Sequence, residues 1–243
     1  IDEGIVPFSE TIVSVDPSGR GTDETVAVVL SQANGYIFVR DMKAFRDGYS
    51  DETLSNIIRL GKKYKASTLL IESNFGDGMV SELFRKHSIN KNIPINIEET
   101  RANVRKEDRI IDALEPVFNQ HRLVIDPKVI EWDFQSNKDA PAETRFQYML
   151  GYQISRMCRE KGAVRHDDRI DALAQGVKWF TDALAISAER TIRNRKDQEF
   201  LDHLAAWLDD PEAEANHMVL GMDLDQRLEA RGRAKGKRVP TWV

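Results

Sequence analysis

Thr11-Ile12-Val13-Ser14-Val15-Asp16-Pro17-Ser18-Gly19-Arg20-Gly21 decides how this chain folds. A short apolar run rich in β-branched residues stops at an acid, and Pro-Ser-Gly then supplies turn chemistry. Downstream, Thr25 to Ser31 and Tyr36 to Met42 read as two further strands joined by a turn at Asn34-Gly35. Leu54, Ile57, Ile58 and Leu60 take up helical spacing, with Ser50 and Thr53 at the helix start. Thr68 to Ile71 is a compact strand that ends at Glu72, followed by a loop over Asn74-Phe75-Gly76-Asp77-Gly78 and a helix from Met79 to Lys86. Ile93 to Ile97 is another strand, and Val104 to Asn119 is an amphipathic helix with Ile110, Ile111, Leu114 and Val117 on one side. Leu123 to Ile125 is a short strand closed by Asp126-Pro127, and Thr144 to Arg159 and Asp168 to Leu184 are helical. Three strands come first and strands then alternate with helices, so the expected class is α/β, a mixed sheet with helices on its faces.

The chain has 243 residues, 41% hydrophobic and 31% charged, enough for one large domain with an extension. A net charge of −5 argues against binding nucleic acid through overall charge but leaves room for a local basic groove. Cys158 is the only cysteine, which excludes a disulfide framework and a thiolate zinc site. No apolar run is long enough to span a bilayer, and Ile1 to Phe8 lack a basic start and an apolar signal core, so secretion is not expected. The first residue is Ile1 rather than Met, as expected of a domain taken from something longer. The character changes after Ala185: a charged helix over Ala188 to Trp207, an acidic break at Asp209 to Glu214, and a basic run from Arg227 to Arg238 before a terminal Trp242. The expected organisation is therefore a domain over 1–184 and a partly helical, flexible extension over 185–243.

Acids close the strands. Asp16 ends the first and Glu72 a later one, and sites in open α/β sheets form beyond strand ends. Arg165-His166-Asp167-Asp168-Arg169-Ile170-Asp171-Ala172-Leu173-Ala174 sets three carboxylates at the start of a helix. Such crowding raises every pKa involved unless a cation neutralises it, and a divalent metal is the natural neutraliser. Asp168 and Asp171, three apart, lie on neighbouring positions of one helix face, while Asp167 points away. Each acid alone has a simpler reading: Asp16 as a turn residue, Glu72 as a surface strand end, Asp167 or Asp168 as an N-cap, His166 as a neighbour of that cap. Asp171 resists one, because Ile170, Leu173, Ala174 and Val177 place its turn beside the core. Together Asp16, Glu72, Asp168 and Asp171, with Asp167 as a secondary candidate, make a hard-oxygen set suited to two Mg²⁺ or Mn²⁺ ions, the arrangement that clamps both oxygens of a phosphodiester displacement.

The motifs Val15-Asp16-Pro17-Ser18-Gly19 with Asp23-Glu24-Thr25, Leu70-Ile71-Glu72-Ser73-Asn74-Phe75-Gly76 and Arg165 to Leu173, in this order, resemble the nuclease domain of phage large terminase subunits. Lys106 to Pro116 and His121 to Ile125 are also similar to that family, most of all to terminases of short-tailed phages, over about residues 10 to 182. The resemblance implies a ribonuclease-H-like fold and metal-dependent endonuclease activity on concatemeric viral double-stranded DNA in the host cytoplasm, with catalytic acids at Asp16, Glu72, Asp168 and Asp171. It also implies a portal protein and a small terminase subunit as partners. Full-length members carry an N-terminal ATPase motor. No Gly-x-x-x-x-Gly-Lys-Ser/Thr loop occurs here, so the chain looks like the nuclease half without its motor. The Asp168/Asp171 pair also resembles the last motif of Holliday-junction resolvases. An actin-type ATP-binding protein and a non-catalytic portal-docking module are the alternatives from other classes.

Phosphates require positive charge. Arg101, Arg105, Lys106 and Arg109 cluster at one helix start, where backbone amides also favour anions, and Arg165 and Arg169 flank the acids. These six are the candidate DNA contacts. Few aromatics interleave them, so base stacking is not expected. The basic C-terminal run with its Trp is the candidate portal-docking segment.

Overall fold

A computed structural model describes residues 7–18, 23–72, 78–101, 104–138 and 140–208. The expected acidic break, the basic run and Trp242 lie outside the described residues, as do 73–77 of the loop after Glu72. Six strands make one sheet: β1 (Glu10–Asp16), β2 (Thr25–Ala33), β3 (Tyr36–Phe45), β4 (Thr68–Glu72), β5 (Asn96–Thr100) and β6 (Leu123–Ile125), in the order β5-β4-β1-β2-β3-β6. β1, β2 and β3 are antiparallel neighbours, whereas β4 runs parallel to β1, β5 to β4 and β6 to β3. β1 is thus central, with an antiparallel hairpin on one side and a parallel ladder on the other.

Both faces of this sheet are covered, which is why its strands read as almost unbroken apolar runs. On one face, Ile12, Val28, Leu30, Val39 and Leu70 pack with Ile110, Leu114 and Val117 of α3 (Lys106–Asn119) and with Ile170, Leu173, Val177 and Phe180 of α6 (Asp168–Leu208). On the other, Val13, Val15, Val29, Leu69 and Ile71 pack with Leu54, Ile57 and Ile58 of α1 (Asp51–Lys63) and with Val80 and Phe84 of α2 (Met79–Asn90). Alternate residues of each strand serve opposite layers, as the period of two dictates. α6 lies very close to the sheet: a methyl group at Gly176 would collide with Leu30 Cδ1 and stand 3.0 Å from Ser14 Cβ.

Several element boundaries differ from the sequence expectation. Ser50 does cap α1, its hydroxyl accepting the Thr53 N–H at 3.1 Å. β5 begins three residues later than expected, because Pro94 has no N–H to give and the ladder first closes at Asn96 N–H to Ser67 O, 3.0 Å. The helix expected over Thr144 to Arg159 is a 3₁₀ turn (Arg145–Tyr148) followed by α5 (Leu150–Arg156). The break is made from outside: the Asp133 carboxylate accepts the N–H groups of Leu150 at 2.9 Å and Gly151 at 3.3 Å, capping a new helix. α4 (Pro127–Gln135) is an addition to the expected elements, although its start is legible, with Asp126 accepting the Lys128 N–H at 3.0 Å and Pro127 in the first turn. The two helices expected after Asp168 are one continuous α6. The chain divides into two units between Leu184 and Ala185, and residues 189–202 of the second are exposed on every side of the helix. Among the described residues no helix is long and apolar enough to cross a membrane.

Candidate metal centre

The parallel register of β1 and β4 sets Val15 opposite Ile71, so the residues that end these strands, Asp16 and Glu72, emerge side by side at one edge of the sheet. α6 starts over the same edge. Its free first-turn amide at Ile170 is taken by Gln153 Oε1 of α5 at 2.9 Å, which leaves the acids of that turn available for other partners. Asp171, one turn in and buried, faces the two strand-end acids. Carboxylate oxygens of Asp16, Glu72 and Asp171 all lie within 4.8 Å of one another.

The sequence-predicted acids do not all join this trio. Asp168 is turned about 60° from Asp171 around the helix axis. Its Oδ2 accepts the Glu24 N–H at 3.1 Å, beside Asp23 and His166. Asp167 reaches Lys106 Nζ at 2.8 Å instead. Lys106 also lies 3.1 Å from Asp171, and Arg109 bridges the trio, donating to Glu72 Oε1 at 2.6 Å and to both Asp171 oxygens at 2.8 Å. Two of the residues expected to meet DNA phosphates are thus engaged with the acids. Arg169 is a clear correction. It is 1% exposed, locked to Glu24 at 2.9 Å and to Asp133 at 2.7 Å, so its guanidinium cannot reach a duplex. Arg101, Arg105 and Arg165 are exposed. Arg105 donates to the Arg159 carbonyl at 2.7 Å, and Arg101 lines a groove between α3 and α6 with Lys178.

Carboxylates still outnumber cations here. Burial first, then the charges of Asp171, Glu72 and Asp168, hold the Asp16 pKa well above the usual range, with Lys106 opposing. Burial pushes Asp171 up to about 6 against the pull of Lys106 and Arg109, and it pushes Asp168 up to about 6 despite the Glu24 N–H. Lys106 is shifted upward: burial disfavours its charge, but Asp171, Asp16 and Asp167 together outweigh burial. Burial lowers His166, which keeps its imidazole neutral. The residues that shape these surroundings but carry no clear sequence signal are Asp133 and Gln153. Their partners are distant in the chain, and neither sits in a periodic or capping pattern.

A family model described as the ribonuclease H-like domain of the bacteriophage T7 terminase matches residues 15–123. The terminase large subunit of Enterobacteria phage T3 is 41% identical over 218 residues, 88% of this chain and 36% of that relative, so the chain spans about a third of the relative's length. Among solved structures, the Mn-soaked human cytomegalovirus terminase nuclease domain aligns with a TM-score of 0.47 and 13% identity, over 72% of this chain and 84% of that one. The large terminase nuclease domain from the bacteriophage SPP1, with bound Mn, aligns with a TM-score of 0.39 and 19% identity, over 56% and 74%.

Proposed function

We propose a function from one premise: this chain belongs to the phage terminase large-subunit family and carries its ribonuclease-H-like domain. On that premise it is a metal-dependent endonuclease that hydrolyses phosphodiesters of concatemeric viral double-stranded DNA during genome packaging. The observation that carries this reading is the convergence of Asp16, Glu72 and Asp171, from two strand ends and a helix, to within 4.8 Å.

The donor set fits a hard divalent ion. Carboxylate oxygens about 2.1 Å from a Mg²⁺ stand roughly 3–4 Å apart across an octahedron, so small side-chain rotations close the observed spacing. Two such ions would supply a lowered pKa for an attacking water and charge to stabilise the leaving 3′ oxygen. Asp16, Glu72 and Asp171 would hold the first. Asp168, close enough to Asp16 for its charge to raise that pKa, would contribute to the second. Lys106 and Arg109 balance the acids without metal and would turn to the substrate phosphates once the acids have other counter-charges. Arg101, Arg105 and Arg165 offer exposed charge along the approach of a duplex, giving phosphate contacts without base readout. The full-length protein would add an ATPase motor, and portal and small terminase subunit would act as partners in the host cytoplasm.

Purified chain should nick or linearise plasmid DNA with Mn²⁺ or Mg²⁺, be inert in EDTA, and lose cleavage in Asp16→Asn. Undiminished cutting in EDTA would overturn the metal mechanism. A strong preference for four-way junctions over linear duplex would favour a junction resolvase instead.

A further inference from the structure

We propose that Tyr49 is a positioning residue of the metal centre: its phenol hydroxyl donates to the Asp16 carboxylate once that carboxylate holds a divalent ion. This role rests on the nuclease reading above and adds to it a residue that is neither a carboxylate nor a cation. Its effect on ion binding can be measured apart from cleavage.

Tyr49 lies in the turn between β3 and α1, directly before the Ser50 cap. Gly48, at φ +55°, takes the left-handed backbone that this turn needs and that side chains resist. The Gly48 carbonyl accepts the Thr25 hydroxyl at 3.4 Å, and Thr25 stands next to Val26, the residue paired with Asp16. The turn is thus pinned to the strand that flanks Asp16. The Tyr49 ring packs with the core layer of Val15 and Ile71, the residues immediately before Asp16 and Glu72. It is therefore held between a pinned turn and the core, beside the edge where the acids emerge. Its hydroxyl is buried and has no hydrogen-bond partner, a standing cost that a new acceptor would remove. Tyr64 shows the ordinary outcome in this molecule, its hydroxyl donating to the buried Asp41 at 2.9 Å. Burial first, and then the charge of Asp16, holds the Tyr49 phenol above its usual pKa, so the hydroxyl keeps its proton and can donate it. A carboxylate that holds an ion retains lone pairs the ion does not use. Hydrogen bonds to those lone pairs fix the ligand's orientation and sharpen metal affinity.

The test uses the whole chain. Tyr49→Phe keeps the ring and removes only the idle hydroxyl, so the metal-free variant should unfold at the parental urea midpoint or above it. Its Mn²⁺ affinity, read by electron paramagnetic resonance, should fall about tenfold. The Mg²⁺ concentration for half-maximal plasmid cleavage should rise by the same factor, while the rate at saturating Mg²⁺ recovers. Mg²⁺, which does not absorb, should also perturb the near-ultraviolet tyrosine band of the parent, and Tyr49→Phe should lose that perturbation. Parental Mn²⁺ affinity in Tyr49→Phe, or a lowered metal-free midpoint, would overturn the role of Tyr49. If Asp16→Asn meanwhile loses Mn²⁺, Tyr49 alone falls and the nuclease reading stands. Parental Mn²⁺ affinity in Asp16→Asn would instead sink the metal centre, and this role with it.

Discussion

Two clusters of buried charge meet at the start of α6, two residues apart in sequence and opposite in balance. Around Arg169, two guanidiniums face two acids: Arg169 answers Glu24 and Asp133, Arg46 stands 3.5 Å from Glu24, and Asp133 also takes two amide protons. Around Asp171, Lys106 and Arg109 face the larger set of Asp16, Glu72, Asp167 and Asp171, and the pKa values of Asp16 and Asp171 stay raised. Buried charges that serve the fold are matched partner for partner, because an uncompensated one is costly. A cluster left acid-rich keeps a standing demand for positive charge, and that demand distinguishes a binding site from a brace.

The sharpest way to break this comparison is to remove one partner of the matched cluster. Arg169→Ala strands Asp133, leaves Glu24 only the half-exposed Arg46, and should destabilise the fold by about 3–5 kcal/mol, measured by urea unfolding. If Arg169→Ala unfolds like the parent, the cluster is no brace. The same operation on the acid-rich side should move activity rather than stability. Asp16→Asn should cut metal-dependent cleavage by at least about a hundredfold, since a bound ion supplies several kcal/mol of transition-state stabilisation. Its unfolding midpoint should hold or rise as repulsion is relieved.

The pH response sharpens the contrast further. Asp168 and Asp171 are pushed up to about 6 in the folded chain, above the unfolded value of about 3.9. At these two groups the native state therefore binds more protons than the unfolded state between these values, and their contribution to stability falls as pH rises through that window, with the lowered His166 acting in the opposite sense. Metal-free protein should melt at higher temperature near pH 5 than near pH 7, and saturating Mn²⁺ should erase or invert that order. A metal-free melting temperature that instead rises from pH 5 to 7 would contradict an acid-rich centre. The smallest effect belongs to the exposed basics. Arg101→Ala and Arg165→Ala should each weaken DNA binding for all sequences alike and lower the salt slope by about 1. A change in sequence preference at constant slope would assign them to base reading instead.

Much of the frame was legible from residues close in sequence. β-branched runs ending in Asp16 and Glu72 marked strands whose ends carry acids, Ser50 announced a cap, and the apolar spacing after Asp168 announced a core helix. Where expectation failed, the cause lay far away in the chain. Asp133 recaps a helix through amides 17 and 18 residues on, and Pro94 delays β5 because the ladder it interrupts belongs to β4.

By itself, the sequence determined which residues carry charge and roughly where each element begins, because propensity, capping and period are local properties of the chain. Only the tertiary structure decided the partners. Asp171 rather than Asp168 joins Asp16 and Glu72, Asp168 turns to Glu24 144 residues away, and Arg169 goes into the core while Lys106 and Arg109 cover the acids. Neighbours on a helix diverge by about 100° per residue, so adjacent side chains point into different surroundings. Which surroundings those are depends on strands and helices that the chain brings together only on folding.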